Sequence, residues 1–371
     1  MTEKKLTLSV ITADVGGMVG HVSGHPDILD TAKERLYHAR EKGVIRDSHV
    51  LRCGDDVALV ISHRGGIDNA GVAELAWITL AACRDMARNL KLHAVSNAFQ
   101  KDAFKGSIKE LGPGVTEMEF VERTSEPIVI MMINKATNGP FNLPLFKIFA
   151  DPFNTPGLIL DAAMLEGFSF KVTDLTTGDE ITLHTPQETY HLLALIGSTS
   201  RYIISEVLRN SDSEVCASVS AQKLDIDQTR VLSQCEPCVI LRCQTGFPAV
   251  GEVMEAFAFP HLVSGWMRNA HNGPLMPVPF YEANPTRFDG PPRAIAAGFQ
   301  VSDGKLIGPH DMFDDPSFDE SRRLAGKVTD YMRRHGPFEP HRLGEPDLEQ
   351  TNLPHVIMKI KDRFKKKHTA R

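Results

Sequence analysis

The sequence contains no run of about 18 consecutive apolar residues, so no membrane-spanning helix is expected. Its opening, MTEKKLTLSV, carries charge but neither a long apolar core nor a small-residue cleavage site, and does not read as a signal peptide. Basic charge is not in excess. Forty-one Lys and Arg face 47 Asp and Glu for a net charge of −6, which argues against a general nucleic-acid-binding surface. Six cysteines are scattered at Cys53, Cys83, Cys216, Cys235, Cys238 and Cys243. Without a secretory signal they do not form a disulfide framework, and a cytoplasmic protein is expected. No second CxxC or His pair stands at zinc-like spacing from Cys235 and Cys238, so a structural zinc site is poorly supported. There is no low-complexity linker and no internal repeat.

What is present is ordinary for a globular chain: 371 residues, 42% hydrophobic and 24% charged. That length usually means two domains or one large one. The missing linker favours one compact α/β unit over residues 1–371, ending in a basic tail, 359–371 (KIKDRFKKKHTAR), that reads as a solvated helix end. Apolar spacing predicts a strand at Thr7–Ala13 and a helix at Pro26–Lys42. Strand flanks a Gly-Asp-Asp turn, at Val50–Leu51 and Val57–Ser62. A long amphipathic helix is expected at Gly71–Leu90 and an apolar strand at Ile128–Asn134. Helix signals run from Gln187 to Leu208. Ala217–Leu224 and Val239–Gln244 read as strands, and Arg322–Arg334 as a helix.

Four residues offer chemistry at strand ends. Asp14 follows the first strand and precedes Gly16 and Gly17, with His21 seven residues on. Asp55 and Asp56 sit in the turn. Hard divalent cations take oxygen ligands, and adjacent carboxylates at a strand end supply them. A Gly-Asp-Asp turn taken alone is more often a plain surface turn. Cys235-Glu236-Pro237-Cys238 reads either as two incidental thiols or as a functional Cys235, nucleophilic or metal-binding.

Long blocks carry a resemblance: ADVGGMVGH (Ala13–His21), GDD (Gly54–Asp56), LGPGVTEMEF (Leu111–Phe120), FNLPLFKIFADPFNTPGL (Phe141–Leu158), EAFAFPHLVSGWMRNAHNGPLMPV (Glu255–Val278) and TRFDGPPR (Thr286–Arg293). From about Leu6 to Lys366 the chain resembles the archaeal-type (class V) fructose-1,6-bisphosphate aldolase/phosphatase family, bifunctional enzymes of gluconeogenesis. The resemblance implies a layered α-β-β-α sandwich, a homo-octamer, magnesium and a sugar-phosphate substrate. It implies that Asp14, His21, Asp55 and Asp56 line the metal and phosphate site. It places Lys135, Gln244, Arg268, His271, Arg287, Asp289 and Arg293 in matched ligand-gripping blocks. Lysine acts there as a point charge and arginine as a planar fork, although any one arginine reads equally as a surface ion pair.

The departures matter as much. The family's loop Lys-Asp-Asp-Pro is here Gln234-Cys235-Glu236-Pro237. An amide nitrogen is no nucleophilic amine, so Gln234 cannot form the family's imine. A proton-shuttling tyrosine matches Val231, and a C-terminal tyrosine matches Gln350. Lys223, nearby in sequence, is a weak substitute for the imine lysine. A glutamine ligand matches Asn97, and an aspartate ligand matches Asn134. Cys235 is a soft donor, poorly suited to magnesium. The expectation is a diverged metal-dependent sugar-phosphate enzyme with phosphatase-type chemistry on a ketose bisphosphate. Asp14, His21, Asp55, Asp56 and Glu236 would hold Mg2+, or Mn2+ or Zn2+ in its place. Asp56, Glu236 and Cys235 stand at catalytic positions. Alternatives are a lyase, aldolase or isomerase that stabilises an enolate through a metal, and a non-catalytic sugar-phosphate-binding homologue.

Overall fold

The first strand, β1 (Lys5–Asp14), shows how the layers arise. Successive side chains of a strand point to opposite faces. Leu6, Leu8 and Val10 therefore enter one buried cluster, and Ile11 and Ala13 enter another. The computed structural model describes residues 5–93, 114–137, 139–220, 237–288, 290–336, 342–344 and 353–361. After β1 come α1 (Pro26–Glu41), β2 (Asp47–Cys53), β3 (Asp56–His63), α2 (Ala70–Asn89) and β4 (Val115–Val121). The four strands pair antiparallel in the order β2-β3-β1-β4.

Helices α1 and α2 cover one face of this sheet. Ile28, Ala32, Leu36 and Ala39 recur at helical spacing and pack with Val72, Ala76 and Leu80 over Ile11, Leu59 and Ile61. Asn69 starts α2, its side chain accepting the amides of Gly71 and Val72.

The chain continues through β5 (Glu126–Asn134), α3 (Asn142–Ala150), α4 (Gly157–Leu160), β6 (Phe168–Asp174), β7 (Glu180–His184), α5 (Thr189–Ile196), β8 (Tyr202–Arg209) and β9 (Val215–Val219). Then follow β10 (Cys238–Arg242), α6 (Val250–Glu255), β11 (Leu262–Gly265), the helical turn α7 (Trp266–Asn269), β12 (His271–Pro274) and β13 (Met276–Pro277). Last come β14 (Arg293–Ser302), β15 (Lys305–Asp311), α8 (Asp319–Arg334) and α9 (Leu353–Ile360). The large sheet runs β13-β14-β5-β10-β9-β8-β6-β7, with β15 against β14, and β11 pairs β12 separately.

Period-two alternation joins the two sheets. Ile128, Ile130 and Met132 of β5 and Ile240 of β10 meet Leu6, Leu8, Val10 and Val60 of the first sheet. The opposite-facing Val129, Met131 and Ile133 pack under Phe141, Leu145, Phe149, Leu192 and Ile196. The result is helix, sheet, sheet, helix, as the resemblance implies.

One sequence expectation is corrected. The helix signals between Gln187 and Leu208 give a helix only over Thr189–Ile196, while Tyr202–Arg209 is a strand. Gly197 and the Ser198–Ser200 turn end the helix. The Ile203, Ile204 and Val207 side chains are then buried in a ladder between β6 and β9. Sheet pairing outweighs helix propensity there. The five described cysteines are free and buried. No described helix is long and apolar enough to cross a membrane.

Candidate metal and phosphate site

The site forms where the end of the first sheet meets the end of β5. Asp14 stands opposite Asp56 in the β1–β3 pair. β2 and β3 are joined by only Gly54 and Asp55, between the paired Cys53 and Asp56. A two-residue hairpin needs positive φ, which glycine adopts most cheaply, and Gly54 has φ 61°. Space demands it too, because a Cβ at Gly54 would lie 2.6 Å from the Asn134 side chain. The Gly-Asp-Asp turn is therefore pressed against the second sheet, and Asp55 and Asp56 are each only 1% exposed.

Asn134 is the hub of the contact. Its Nδ2 donates to Asp56 Oδ2, and to Asp55 Oδ1 at 3.4 Å. Two carboxylates accept but do not donate, so the amide must turn its NH2 toward them. Its Oδ1 is buried with no hydrogen-bond partner among the described residues. Lys135 Nζ lies 3.9 Å from Asp55 Oδ1. On the other side, His21 Nδ1 lies 2.8 Å from Asp55 Oδ2. The Gly16 amide donates to Asp14 Oδ1 at 2.9 Å. Gly17 lets this loop close on the cluster, since a Cβ there would meet the Gly20 carbonyl and sit 2.9 Å from Asp55 Oδ2.

The charges are strained in a way a cation relieves. Burial and the neighbouring charge of Asp55 push Asp14 up to about 6. Burial works to raise Asp55 too, but the His21 hydrogen bond and the Lys135 charge outweigh it and hold it below the usual carboxylate range. The hydrogen bond to Asp55 raises His21. Asp14, His21 and Asp55 each present a ligand atom within 4.8 Å of the others. Carboxylate oxygens and an imidazole make a donor set that fits a divalent cation.

A profile of the family described as fructose-1,6-bisphosphatase matches residues 5–365. The chain belongs to that family. It is 52% identical over 362 residues to the fructose-1,6-bisphosphate aldolase/phosphatase of Ignicoccus hospitalis, covering 98% of this chain and 93% of that one. It is 50% identical over 360 residues to the protein of the same name from Methanothermobacter marburgensis, covering 97% and 99%. With that of Moorella thermoacetica it shares 47% over 363 residues, covering 98% and 95%.

Within this fructose-1,6-bisphosphatase-family fold, the predicted Asp14, His21, Asp55, Asp56 and Lys135 converge. Asp56 is bound by Asn134, while the three residues that gather tightly are Asp14, His21 and Asp55. Arg268 lies between β11 and β12 and His271 opens β12; β11 docks beside Lys135, the Thr137 amide donating to the Ser264 carbonyl at 2.7 Å. Arg268 is exposed, and Met267, Arg268 and Asn269 hold successive φ values of 47°, 58° and 56°. Such backbone strain persists only where the surroundings over-determine it. His271 is buried. Arg287 pairs with Asp330 and Arg293 donates to the Glu282 carbonyl.

Gln244 does not join this cluster within one chain. β10 runs antiparallel to β5 with Cys238 opposite Met132 and Arg242 opposite Ile128. Gln244 follows Arg242, so it lies near the far end of β5 from Asn134, on the order of 25 Å away at strand spacing. Strand direction, not the matched block, sets where it lies within one chain.

Cys235, Glu236 and Asp289 lie outside the described residues, as do Asn97, Lys223, Val231, Gln234, Gln350 and residues 362–371 of the basic tail. Cys238 is described, and burial pushes its thiol up to about 12, so this half of the CxxC is an inert core residue. No motif or spacing singles out His93. Its ring stands edge-on to His21 with centroids 4.9 Å apart. Nothing in the spacing links these residues; only the backbone bridge between Gly17 and His93 brings them together.

Proposed function

We propose that this protein is a divalent-metal-dependent enzyme that hydrolyses a phosphate ester of a ketose bisphosphate and forms no Schiff base. The observation that carries this reading is the Asp14–His21–Asp55 group, in which Asp55 is buried and Asp14 and His21 half-buried, backed by Asp56 and Asn134 and flanked by Lys135. The relatives are named as aldolase/phosphatases, and the phosphatase half of that name is what these residues can serve. Asp14, His21, Asp55 and Asp56, with Glu236, would hold Mg2+, with Mn2+ or Zn2+ as substitutes. A bound cation supplies Lewis-acid polarisation and neutralises ester charge. Lys135, 8% exposed, offers a fixed positive charge to a phosphate. Arg268 offers a fork from the adjoining loop.

The aldol half lacks its chemistry. Gln234 offers no amine and Val231 no proton. A homo-octamer fits the exposed Phe153, Tyr190 and Leu160, which are 97%, 87% and 80% accessible in one chain. Free buried cysteines suit a reducing, cytoplasmic setting.

The test is phosphate release from fructose 1,6-bisphosphate and related ketose bisphosphates with Mg2+, Mn2+ or Zn2+. Metal-dependent release is expected, while borohydride treatment with dihydroxyacetone phosphate leaves the protein mass unchanged. A trapped adduct would restore the imine mechanism, and no release from any substrate would leave a binding protein.

Arg268→Ala is expected to weaken sugar-phosphate binding about tenfold. Truncating one partner of a buried, hydrogen-bonded charge pair costs about 2–5 kcal/mol; Arg268 is exposed until a phosphate covers it, so the expected loss sits at or below the low end, about tenfold for each 1.4 kcal/mol. Arg371→Ala, in the basic tail, serves as the control. Wild-type affinity in Arg268→Ala would remove that residue from the phosphate site.

A further inference from the structure

We propose that Arg333 is the positioning residue for Arg268: from helix α8 it ties the turn that carries Arg268 to the neighbouring loop at Phe288, so that the Arg268 fork stands ready for a phosphate. The inference rests on the reading of Arg268 as a phosphate ligand and adds the residue on which that ligand's geometry depends.

The turn needs support from outside. Met267, Arg268 and Asn269 hold φ values of 47°, 58° and 56° in succession. An L-residue enters this left-handed region at a cost, normally singly, and stays there only where its surroundings require it. Within the turn the Ala270 amide is shared between the Trp266 carbonyl at 3.2 Å and the Met267 carbonyl at 3.4 Å. Two such long bonds do not hold three strained residues. Trp266, fully buried, anchors one end by packing against Gly273 and Gly290, where a Cβ would overlap its ring. Asn269 is buried at the other end, and Arg268 between them is exposed.

Arg333 supplies the hold on Met267. It lies half-buried in the last turn of α8, and its Nη1 donates to Met267 Sδ at 2.8 Å. Its guanidinium carbon stands 4.6 Å from the centroid of the Phe288 ring. The Arg287 guanidinium stands at the same 4.6 Å from that ring and pairs with Asp330. Asp330 and Arg333 are three residues apart, neighbours on one side of the helix. One side of α8 thus joins both loops. A sulfur and a ring face fix the plane of a guanidinium without neutralising its charge. Lysine, a point charge on a flexible stem, cannot make both contacts. A fork held in place before the ligand arrives avoids the cost of being ordered on binding.

Fructose 1,6-bisphosphate is titrated by calorimetry, without added cation so that no hydrolysis interferes, into wild type, Arg333→Ala, Arg333→Lys, Arg268→Ala and the double variant Arg268→Ala with Arg333→Ala. Both Arg333 variants are expected to bind about two- to tenfold more weakly than wild type, the range set by ordering one long side chain. In the Arg268→Ala background, removing Arg333 should cost less than about twofold, because residues that act through one another are not additive. Mg2+ affinity should be that of wild type in Arg333→Ala, and its loss would mark general damage to the fold and overturn the positioning role. Arg333→Lys binding as wild type would show that only charge matters, and additive losses in the double variant would show that Arg333 acts independently of Arg268; either overturns the proposal. Weak binding in Arg268→Ala with wild-type binding in both Arg333 variants overturns it too and leaves the phosphate reading standing. Wild-type binding in Arg268→Ala overturns both.

Discussion

Asp55→Ala is expected to abolish metal binding and every metal-dependent activity. Among the described residues, Asp55 reaches three others of the site: His21 at 2.8 Å, Asn134 at 3.4 Å and Lys135 at 3.9 Å. Its removal deletes a ligand, frees the His21 ring and leaves Lys135 beside a vacated carboxylate. Losing an orienting partner alone costs about 10–100-fold in metal affinity, and losing a ligand as well costs more. Calorimetric titration checks this, and wild-type affinity would place the cation elsewhere. The same titration should depend on pH. Asp14 keeps its proton up to about pH 6, and a cation must displace it. His21, raised by its hydrogen bond to Asp55, must shed a proton as well, so affinity should climb with pH through both groups and fall by more than about tenfold per pH unit where both protons compete. In Asp55→Ala the charge that helps to raise Asp14 is gone, so its pKa should move back toward the ordinary 3.8. An affinity independent of pH between 5 and 8 would remove Asp14 from the ligand set.

The largest effect on stability is expected from Glu126→Gln. Glu126 and Arg242 are both 0% exposed. Arg242 grips Glu126 with two bonds, Nε to Oε1 at 3.0 Å and Nη2 to Oε2 at 2.9 Å. Arg123 adds Nη2 to Oε1 at 2.6 Å and Nε to Oε2 at 3.0 Å. Arg123, Arg209 and Arg242 all stack on the Phe247 ring, at 4.6, 4.6 and 4.9 Å. Neutralising Glu126 leaves the buried Arg242 charge with only Glu214, at 3.1 Å. Breaking a buried pair from one side costs about 3–5 kcal/mol. Urea unfolding at pH 7 should show that loss, and a loss under about 1 kcal/mol would contradict the account. Replacing both partners by apolar residues, Glu126→Leu with Arg242→Met, should cost less than the single change, because no uncompensated charge stays inside. Burial alone would raise Glu126, but its bonds from Arg242 and Arg123 hold it below the usual carboxylate range. Its contribution is thus present above the unfolded pKa of Glu, about 4.3, and is lost as pH falls through the depressed folded value. The network also fixes the Gln244 loop, since Arg123 Nη1 donates to the Gln244 carbonyl at 2.6 Å and Arg209 Nη1 to that of Gly246 at 3.0 Å.

Local pattern decided much of this protein. Alternation along Leu6–Ala13 and Ile128–Ile133, and helical spacing along Ile28–Ala39, assign each side chain to a layer, because those periods are properties of the backbone. Gly54-Asp55-Asp56 could be read as a turn bearing carboxylates for the same reason, and Asp14 as the end of a strand. The long matched blocks carried the family, since block order survives where single residues change. Tertiary structure decided the rest. Asn134 looked like a weakened ligand, yet it is the contact on which the turn closes. Gln244 was matched to the ligand-gripping residues, and strand direction sets it at the far end of β10 within one chain. Cys238 looked like half of a CxxC, yet sheet pairing buries it. Tyr202–Arg209 left its helical pattern for a ladder between two strands. His93 carried no signal, because the bridge that sets it beside His21 joins Gly17 to a residue beyond α2. Side-chain period follows from the bonds of neighbouring residues. Which strand ends and loops meet depends on pairing and packing between distant segments, whose energies no local pattern records.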